Sequence, residues 1–294
     1  MMLDAKELLS KVRRLEITTR RMVEETTGGA YHSVFKGRGI EFSEVREYSF
    51  GDDVRDIDWN VTARMGSPFI KKYVEERELN VMLLVDASAS GRFGSSSASK
   101  LRMIVETAAL IAFSAIRNND KVGLHIFTDR QELHLSPKSG KGHVLRLIRE
   151  LVASKPEGQR TDIAKALEDT SSALKKKSII FLISDLIDPG GYEKAMRTVN
   201  LRHDLVAVRV LDSLELRLPP LAGIAVEDAE TGEIVHFDGA SANARGEFAS
   251  AAARLHEDAA NVCRRAKVDL IDMRCGDDLI KPLMAFFKMR GGRR

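Results

Sequence analysis

The stretch from Leu79 to Ser90, LNVMLLVDASAS, constrains the fold of this chain more than any other part of the sequence. It is an apolar run that ends in the carboxylate of Asp86 and then presents the hydroxyls of Ser88 and Ser90 at alternate positions. A short apolar run closed by small polar residues is typical of a strand that is buried on both faces of a parallel sheet. Asp86 is therefore predicted at the carboxyl end of such a strand, where doubly wound sheets bind their ligands.

The side chains at this predicted strand end offer only oxygen donors. Asp86, Ser88 and Ser90 are followed by no histidine or cysteine within the same stretch. A donor set made only of oxygen selects a hard cation such as Mg²⁺, which keeps several of its waters and takes few protein ligands. The pattern does not distinguish Mg²⁺ from Mn²⁺.

A second apolar run, SIIFLISD from Ser178 to Asp185, repeats the first and also ends in a carboxylate. Two strands that each carry an aspartate at the carboxyl end can direct both side chains into one crevice. Strand and helix patterns alternate from residue 79 to the end of the chain. This alternation predicts an α/β fold with a doubly wound, mostly parallel sheet and helices on both faces. Residues 223–238 are predicted to form an inserted hairpin that turns near Thr231 and Gly232.

The chain has 294 residues, which is enough for one α/β core and a smaller unit. Residues 1–28 are predicted to contain an amphipathic helix, and residues 79–294 the α/β domain. Residues 29–78 are predicted to form a small subdomain of short strands and turns, because aromatic residues and glycines are concentrated there. Its aromatic residues are Tyr31, Phe35, Phe42, Tyr48, Phe50, Trp59, Phe69 and Tyr73.

The charges are dispersed along the chain, and the formal net charge is only +3. Nucleic-acid binding is not expected, because such a face needs clustered basic residues. No run approaches the length of a membrane span, and the amino terminus lacks the apolar core of a signal peptide. The two cysteines, Cys263 and Cys275, form no metal-binding pair. We therefore expect a reduced, soluble, cytoplasmic protein with no integral membrane segment.

Within the predicted subdomain, FGDDVRDIDW from Phe50 to Trp59 indicates a turn that enters a helix, and its aspartates are predicted to cap and favour the positive helix end. Two interpretations of its charges remain open. Four aspartates and two arginines could form a buried ion-pair lattice, or the same side chains could form an exposed docking face. The residues concerned are Arg46, Asp52, Asp53, Arg55, Asp56 and Asp58.

The pattern Asp86-x-Ser88-x-Ser90, together with Thr161 in GQRTDIAKAL and Asp185 in FLISD, resembles the metal-ion-dependent adhesion site of von Willebrand factor A domains. The resemblance implies that the two serines and the threonine bind Mg²⁺ directly or through water. It implies that the aspartates bind directly or accept hydrogen bonds from ligand waters. It also implies one open position for an acidic group of a partner protein.

The longer stretch from Phe35 to Phe93 resembles the bacterial domain of unknown function 58 family. Members of that family carry such a region directly before an A-type domain and are commonly encoded beside MoxR-type AAA+ ATPases. The resemblance implies an adapter or co-chaperone that works with such an ATPase. On this interpretation the chain is a metal-dependent protein-interaction module and not an enzyme.

Two alternatives to this function stay open at this point. The first is a phosphohydrolase of the haloacid dehalogenase type, in which Asp86 attacks phosphate as the nucleophile. That chemistry needs a second carboxylate two positions later, and position 88 is a serine. The second alternative is that these hydroxyls and carboxylates only cap helices and turns, as such residues commonly do.

Overall fold

The computed structural model describes residues 41–74, 78–92, 100–228 and 230–291. The amphipathic helix predicted within residues 1–28 lies outside these ranges. The chain divides into two compact units, of which one is Phe35–Leu79 and the other includes Asn80–Arg294. The two units are described separately.

The smaller unit is built on an antiparallel strand pair. Strand β1 (Glu41–Glu47) pairs with β2 (Phe69–Val74), and their connection contains a 3-10 turn (Val54–Asp56) and helix α1 (Trp59–Met65). The carboxylate of Asp58 accepts hydrogen bonds from the first amides of α1, at 3.0 and 3.2 Å. Capping by an aspartate at this position satisfies amides that have no partner within the helix.

Of the two interpretations of the charges in this unit, the buried ion-pair lattice is wrong. Arg46 and Asp52 form a two-pronged ion pair, with N–O distances of 2.9 and 2.7 Å. Asp53, Arg55 and Asp56, in contrast, are exposed. The Asp53 carboxylate accepts the amide hydrogen of Arg55, so it caps the 3-10 turn. Asp53 and Asp58 thus begin helical turns, which confirms the capping predicted from the sequence.

The larger unit contains a six-stranded sheet whose strand order confirms the predicted doubly wound fold. The order is β10-β7-β6-β3-β4-β5, and all neighbours are parallel except β5, which runs antiparallel at one edge. The strands are β3 (Asn80–Asp86), β4 (Lys121–Phe127), β5 (Gln131–Lys138), β6 (Ile179–Ser184), β7 (Asp204–Leu211) and β10 (Asp269–Arg274). A separate antiparallel pair, β8 (Ile224–Glu227) and β9 (Ile234–Phe237), lies within the predicted hairpin region.

Helices connect these strands. They are α2 (Lys100–Arg117), α3 (Lys141–Ala153), α4 (Ile163–Ala173), α5 (Glu193–Arg202), α6 (Ser213–Leu216), α7 (Ala242–Ala266) and α8 (Ile280–Gly291). The sequence predicts helices over Lys141–Ala153, Ala242–Ala266 and Asp277–Met289. The structure confirms the first two to the residue, as α3 and α7, whereas α8 begins three residues after Asp277. Across the described ranges, no helix combines the length and the hydropathy that a membrane crossing requires.

The core lies on both faces of the sheet. Met82 and Leu84 of β3 pack in one cluster with residues of α4, α5 and α7. Helix α2 is not part of that cluster and contacts β3 and β4. Side chains alternate between the two faces of a strand, so both faces of β3 are covered, and every residue from Val81 to Asp86 is buried. This rigid central strand positions the candidate site.

Candidate metal site

The site lies where the strand order of the sheet reverses. The chain passes from β3 to β4 on one side, and from β6 to β7 on the other, while β3 and β6 are direct neighbours. Asp86 is the last residue of β3, and Asp185 directly follows β6. Because parallel strands end at the same edge, both carboxylates lie at the switch point, where open α/β sheets bind ligands.

The carboxylate of Asp86 is buried and held by two hydrogen bonds. The amide of Ser88 donates to Oδ1 at 2.9 Å, and the hydroxyl of Ser184 donates to Oδ2 at 2.7 Å. Burial, and second the charge of Asp185, raise the pKa of Asp86 to about 6. A buried carboxylate beside a second one is stabilised by positive charge, so this pair favours a cation.

Ser88 directly precedes a short 3-10 turn (Ala89–Arg92), and Ser90 lies on it, so their hydroxyls come together. The two Oγ atoms are 3.1 Å apart. Adjacent ligands of an octahedral Mg²⁺ at 2.0–2.1 Å lie about 2.9 Å from each other. The spacing of the two hydroxyls therefore fits neighbouring positions on one cation.

The loop that carries Thr161 is fixed against the ends of β4 and β5. The carboxylate of Glu132 accepts hydrogen bonds from the amides of Glu157 and Gly158, at 3.1 and 2.8 Å. A Cβ at Gly158 would lie 2.1 Å from the hydroxyl oxygen of Thr128, so this close approach requires glycine. The carbonyl of the next residue, Gln159, accepts the amide hydrogen of Ala89 at 3.0 Å, which joins the loop to the serine turn.

Asp185 is engaged by the protein on both of its oxygens. Lys100 Nζ lies 2.8 Å from Oδ2, and the amide of Ile187 donates to Oδ1 at 3.0 Å. The same ammonium group lies 2.7 Å from Oε1 of Glu215. Burial favours the neutral amine, but the two carboxylates outweigh it and raise the pKa of Lys100. Asp185 is thus suited to act on a cation through its charge or through a bound water.

The backbone after Asp185 turns sharply. Leu186 is buried and adopts φ +63°, in the left-handed region that residues other than glycine rarely occupy. Its carbonyl accepts the hydroxyl hydrogen of Tyr192 at 2.8 Å, and its amide donates to Ser184 Oγ at 3.0 Å. These two hydrogen bonds help to hold Leu186 in an energetically unfavourable backbone conformation, as is common beside binding sites.

The structure places all five predicted residues, Asp86, Ser88, Ser90, Thr161 and Asp185, on the loops and strand ends of this one edge. Asp86, Ser88 and Ser90 are joined by direct hydrogen bonds. Thr161 belongs to the loop that contacts the serine turn, and the charge of Asp185 acts on Asp86. In the described ranges, no three His, Cys, Asp or Glu side chains form a metal-binding group, so a cation here depends on the hydroxyls.

Sequence reasoning missed four residues at this edge: Ser184, Lys100, Glu215 and Glu230. Ser184 directly precedes Asp185, so its position at the end of an apolar run could have identified it from the sequence. Lys100, Glu215 and Glu230 come from distant segments that carry no motif. Glu230 lies between β8 and β9, and its Oε1 accepts the hydroxyl hydrogen of Thr161 at 2.6 Å.

Comparison with known proteins gives the family of the chain. A family model described as a protein of unknown function, DUF58, matches residues 44–258. The chain belongs to the DUF58 family. Uncharacterized protein Rv1480 of Mycobacterium tuberculosis is 30% identical over 290 residues, which cover 98% of this chain and 91% of that protein. Uncharacterized protein MAV169 of Mycobacterium avium is 28% identical over 155 residues, 52% of this chain and 91% of that protein.

Solved structures with a similar fold include two that span most of this DUF58 chain. The hypothetical protein BatB of Bacteroides thetaiotaomicron is 12% identical, covers 74% of this chain and all of its own, and has a TM-score of 0.48. The SpRpn10 VWA domain is 14% identical, with 70% and 94% of the two chains covered and a TM-score of 0.43.

Proposed function

We propose that this DUF58 protein is a non-enzymatic protein-interaction module that binds an acidic group of a partner through a divalent cation. The cation is Mg²⁺ or Mn²⁺, and the residues that hold it are Asp86, Ser88, Ser90, Thr161 and Asp185. The observation that carries the proposal is the pair of serine hydroxyls, 3.1 Å apart, beside two buried carboxylates at the switch point of the sheet.

Each residue has a distinct part in this proposal. Ser88 and Ser90 offer hydroxyl oxygens as direct ligands, and Thr161 offers a third from the neighbouring loop. Asp86 supplies negative charge from a position fixed by the Ser88 amide and the Ser184 hydroxyl. Asp185 adds charge that Lys100 partly neutralises. A bound cation supplies the positive charge that attracts the partner's carboxylate, and the low net charge of the site limits its affinity to a weak range.

The partner we propose is a MoxR-type AAA+ ATPase, for which the chain acts as an adapter or co-chaperone. Membership of the DUF58 family supports this choice. Members of that family, which the sequence resembles, are commonly encoded beside such ATPases. In this proposal the partner, or a client that it processes, presents an aspartate or glutamate to the metal site. The module itself carries out no reaction.

No observation favours the phosphohydrolase alternative. Its chemistry needs a general acid two positions after the nucleophile, and Ser88 is a buried serine that hydrogen-bonds to Ser90. We expect no hydrolysis of a small phosphoester above the background rate. A robust rate that Asp86→Asn abolishes would restore the enzyme interpretation.

The proposed function is tested by calorimetric titration with Mg²⁺ and by capture of the ATPase. The wild-type chain is expected to bind one equivalent of Mg²⁺, and Asp86→Ala and Asp86→Asn are expected to abolish binding. Asp169→Ala is the matched control, since Asp169 is an exposed carboxylate on α4. Capture of a purified MoxR-type ATPase from the same organism should require Mg²⁺ and be lost with chelator. Unchanged Mg²⁺ binding in both Asp86 variants would refute the site.

A further inference from the structure

The turn between β8 and β9 is built to present one carboxylate. Asp228 Oδ1 accepts hydrogen bonds from the amides of Glu230 and Thr231, both at 2.9 Å. The amide of Gly232 donates to the Asp228 carbonyl at 2.8 Å, and Gly232 adopts φ +72°. A carboxylate that binds the amides two and three positions later fixes the local chain, so the Glu230 side chain leaves the turn in a defined direction.

That direction leads to the candidate metal site. Glu230 Oε1 accepts the hydroxyl hydrogen of Thr161 at 2.6 Å, and the two residues are separated by 69 positions. Thr161 is one of the three hydroxyl donors of the proposed site. The Glu230 side chain is half-buried, whereas Glu227 and Glu233 on the same hairpin are exposed. One glutamate of this hairpin is therefore directed inward, and the others face solvent.

Three nearby carboxylates act on the carboxylate of Glu230. They belong to Asp185, Asp188 and Asp228, and their charge opposes its position when no cation is present. A cation bound between these carboxylates would attract each of them and so offset their mutual repulsion. The Glu230 carboxylate therefore occupies a position that a bound cation would stabilise.

We propose that Glu230 is a built-in carboxylate of the metal site, so that the β8–β9 hairpin closes the position that is otherwise open to a partner. This inference rests on the proposed function. The hairpin then acts as an internal competitor: a partner's carboxylate reaches the cation only after the hairpin tip moves away. Glu230 is a ligand supplied by the chain, and its release sets the threshold for partner binding.

The construction of the hairpin suits such movement. Its two strands pair with each other and do not join the six-stranded sheet. Ile234 and Val235 are 57% and 44% exposed, so the distal part buries little apolar surface. The base is anchored, since the Phe237 ring contacts the Phe248 ring of α7 with centroids 5.5 Å apart. A short hairpin held at its base has a low free-energy cost of displacement at its tip.

The test compares Glu230→Gln with the matched control Glu233→Gln, which removes an exposed carboxylate from the same hairpin. Calorimetry with Mg²⁺ alone measures affinity, and hydrogen exchange of residues 224–237 with and without Mg²⁺ measures closure. We expect Glu230→Gln to weaken Mg²⁺ binding by about tenfold, because affinity follows the number of charged ligands. Mg²⁺ should slow exchange of the hairpin in the wild type and in Glu233→Gln, but not in Glu230→Gln.

The outcomes separate this inference from the proposed function. If the wild type binds Mg²⁺ and Asp86→Ala abolishes binding, but Glu230→Gln binds with wild-type affinity and Mg²⁺ leaves hairpin exchange unchanged, Glu230 is not a ligand. In that case the metal site binds Mg²⁺ without a ligand from the hairpin. If the wild type binds no Mg²⁺, the proposed function is wrong and this inference falls with it.

Discussion

Lys100 and Asp185 lie 85 positions apart in sequence and form an ion pair that is almost completely withdrawn from solvent. Nζ and Oδ2 are 2.8 Å apart, and the two side chains are 1% and 2% exposed. Glu215, 20% exposed, forms a second ion pair with the same ammonium group. The buried ammonium group of Lys100 therefore stabilises the Asp185 carboxylate at the proposed metal site.

Replacing Lys100 with methionine is expected to destabilise the fold by about 3 to 5 kcal/mol, because it leaves buried carboxylates without their counter-charge. Urea unfolding measures the change. Arg102→Met is the control, since the Arg102–Glu106 pair lies on the surface of α2, with Arg102 62% exposed, and should contribute less than about 1 kcal/mol. Millimolar Mg²⁺ should recover part of the stability lost in Lys100→Met. Equal effects of the two substitutions would contradict this account of the ion pair.

Replacing Asp86 with asparagine is expected to preserve or raise stability at pH 7.5 in the absence of divalent cations. The folded-state pKa of Asp86, about 6, lies above its ordinary value of 3.8. The native state then binds more protons between these values, so this group's contribution to stability falls as pH rises through that window. Asparagine removes the buried charge and gains at most about 3 kcal/mol at neutral pH.

The measurement for Asp86→Asn is urea unfolding of both proteins from pH 4 to pH 8, with and without Mg²⁺. Added Mg²⁺ should stabilise the wild type and leave the variant unchanged, because only a state that binds the ion is stabilised by it. A variant that is clearly less stable than the wild type at pH 7.5 without metal would show that the buried charge is already compensated.

The buried histidine of β4, His125, is expected to contribute to acid denaturation. Burial, and second the nearby His134, lower the pKa of His125 to about 4, and within the part of the chain that the structure describes its Nε2 has no hydrogen-bond partner. The unfolded chain binds the proton at higher pH, so stability is complete above about pH 6.5 and is lost as pH falls toward 4. His125→Gln should flatten this dependence in unfolding experiments. His236→Gln, at an exposed position on β9, should retain the wild-type slope.

In the smaller unit, Asp58→Ala is expected to cost about 1 kcal/mol, because the N-terminal amides of α1 lose their capping carboxylate. Asp56→Ala serves as the control, since Asp56 is exposed. Hydrogen exchange of residues 58–66 detects the local loss of protection that a melting curve of the whole chain can miss. A similar response of the two variants would argue against capping as the function of Asp58.

Much of the fold could be predicted from local pattern. The runs that end in Asp86 and Asp185 are apolar throughout, and only a strand covered on both faces uses such a run, so their place at the centre of a parallel sheet followed directly. The helices Lys141–Ala153 and Ala242–Ala266 were predicted to the residue, because their apolar periodicity and end residues agree. The capping of helical turns by the aspartates of Phe50–Trp59 was also predicted, and Asp53 and Asp58 confirm it. The sequence did not exclude a buried ion-pair lattice there, since capping and ion pairing use the same side chains. It also did not give the limits of α8.

The oxygen-rich strand ends could be predicted from local sequence, because each apolar run and the polar residues that close it lie within a few positions of one another. Which distant side chains meet these strand ends depends on the three-dimensional fold. Lys100 reaches Asp185 because the first residue of α2 lies at the same edge as the end of β6, and Glu230 reaches Thr161 because the hairpin folds back onto that edge. Such meetings depend on strand order and on the path of the loops. Hydrophobic periodicity specifies which face of an element is buried, but it contains no information on which polar side chain arrives from elsewhere to neutralise or occupy a site.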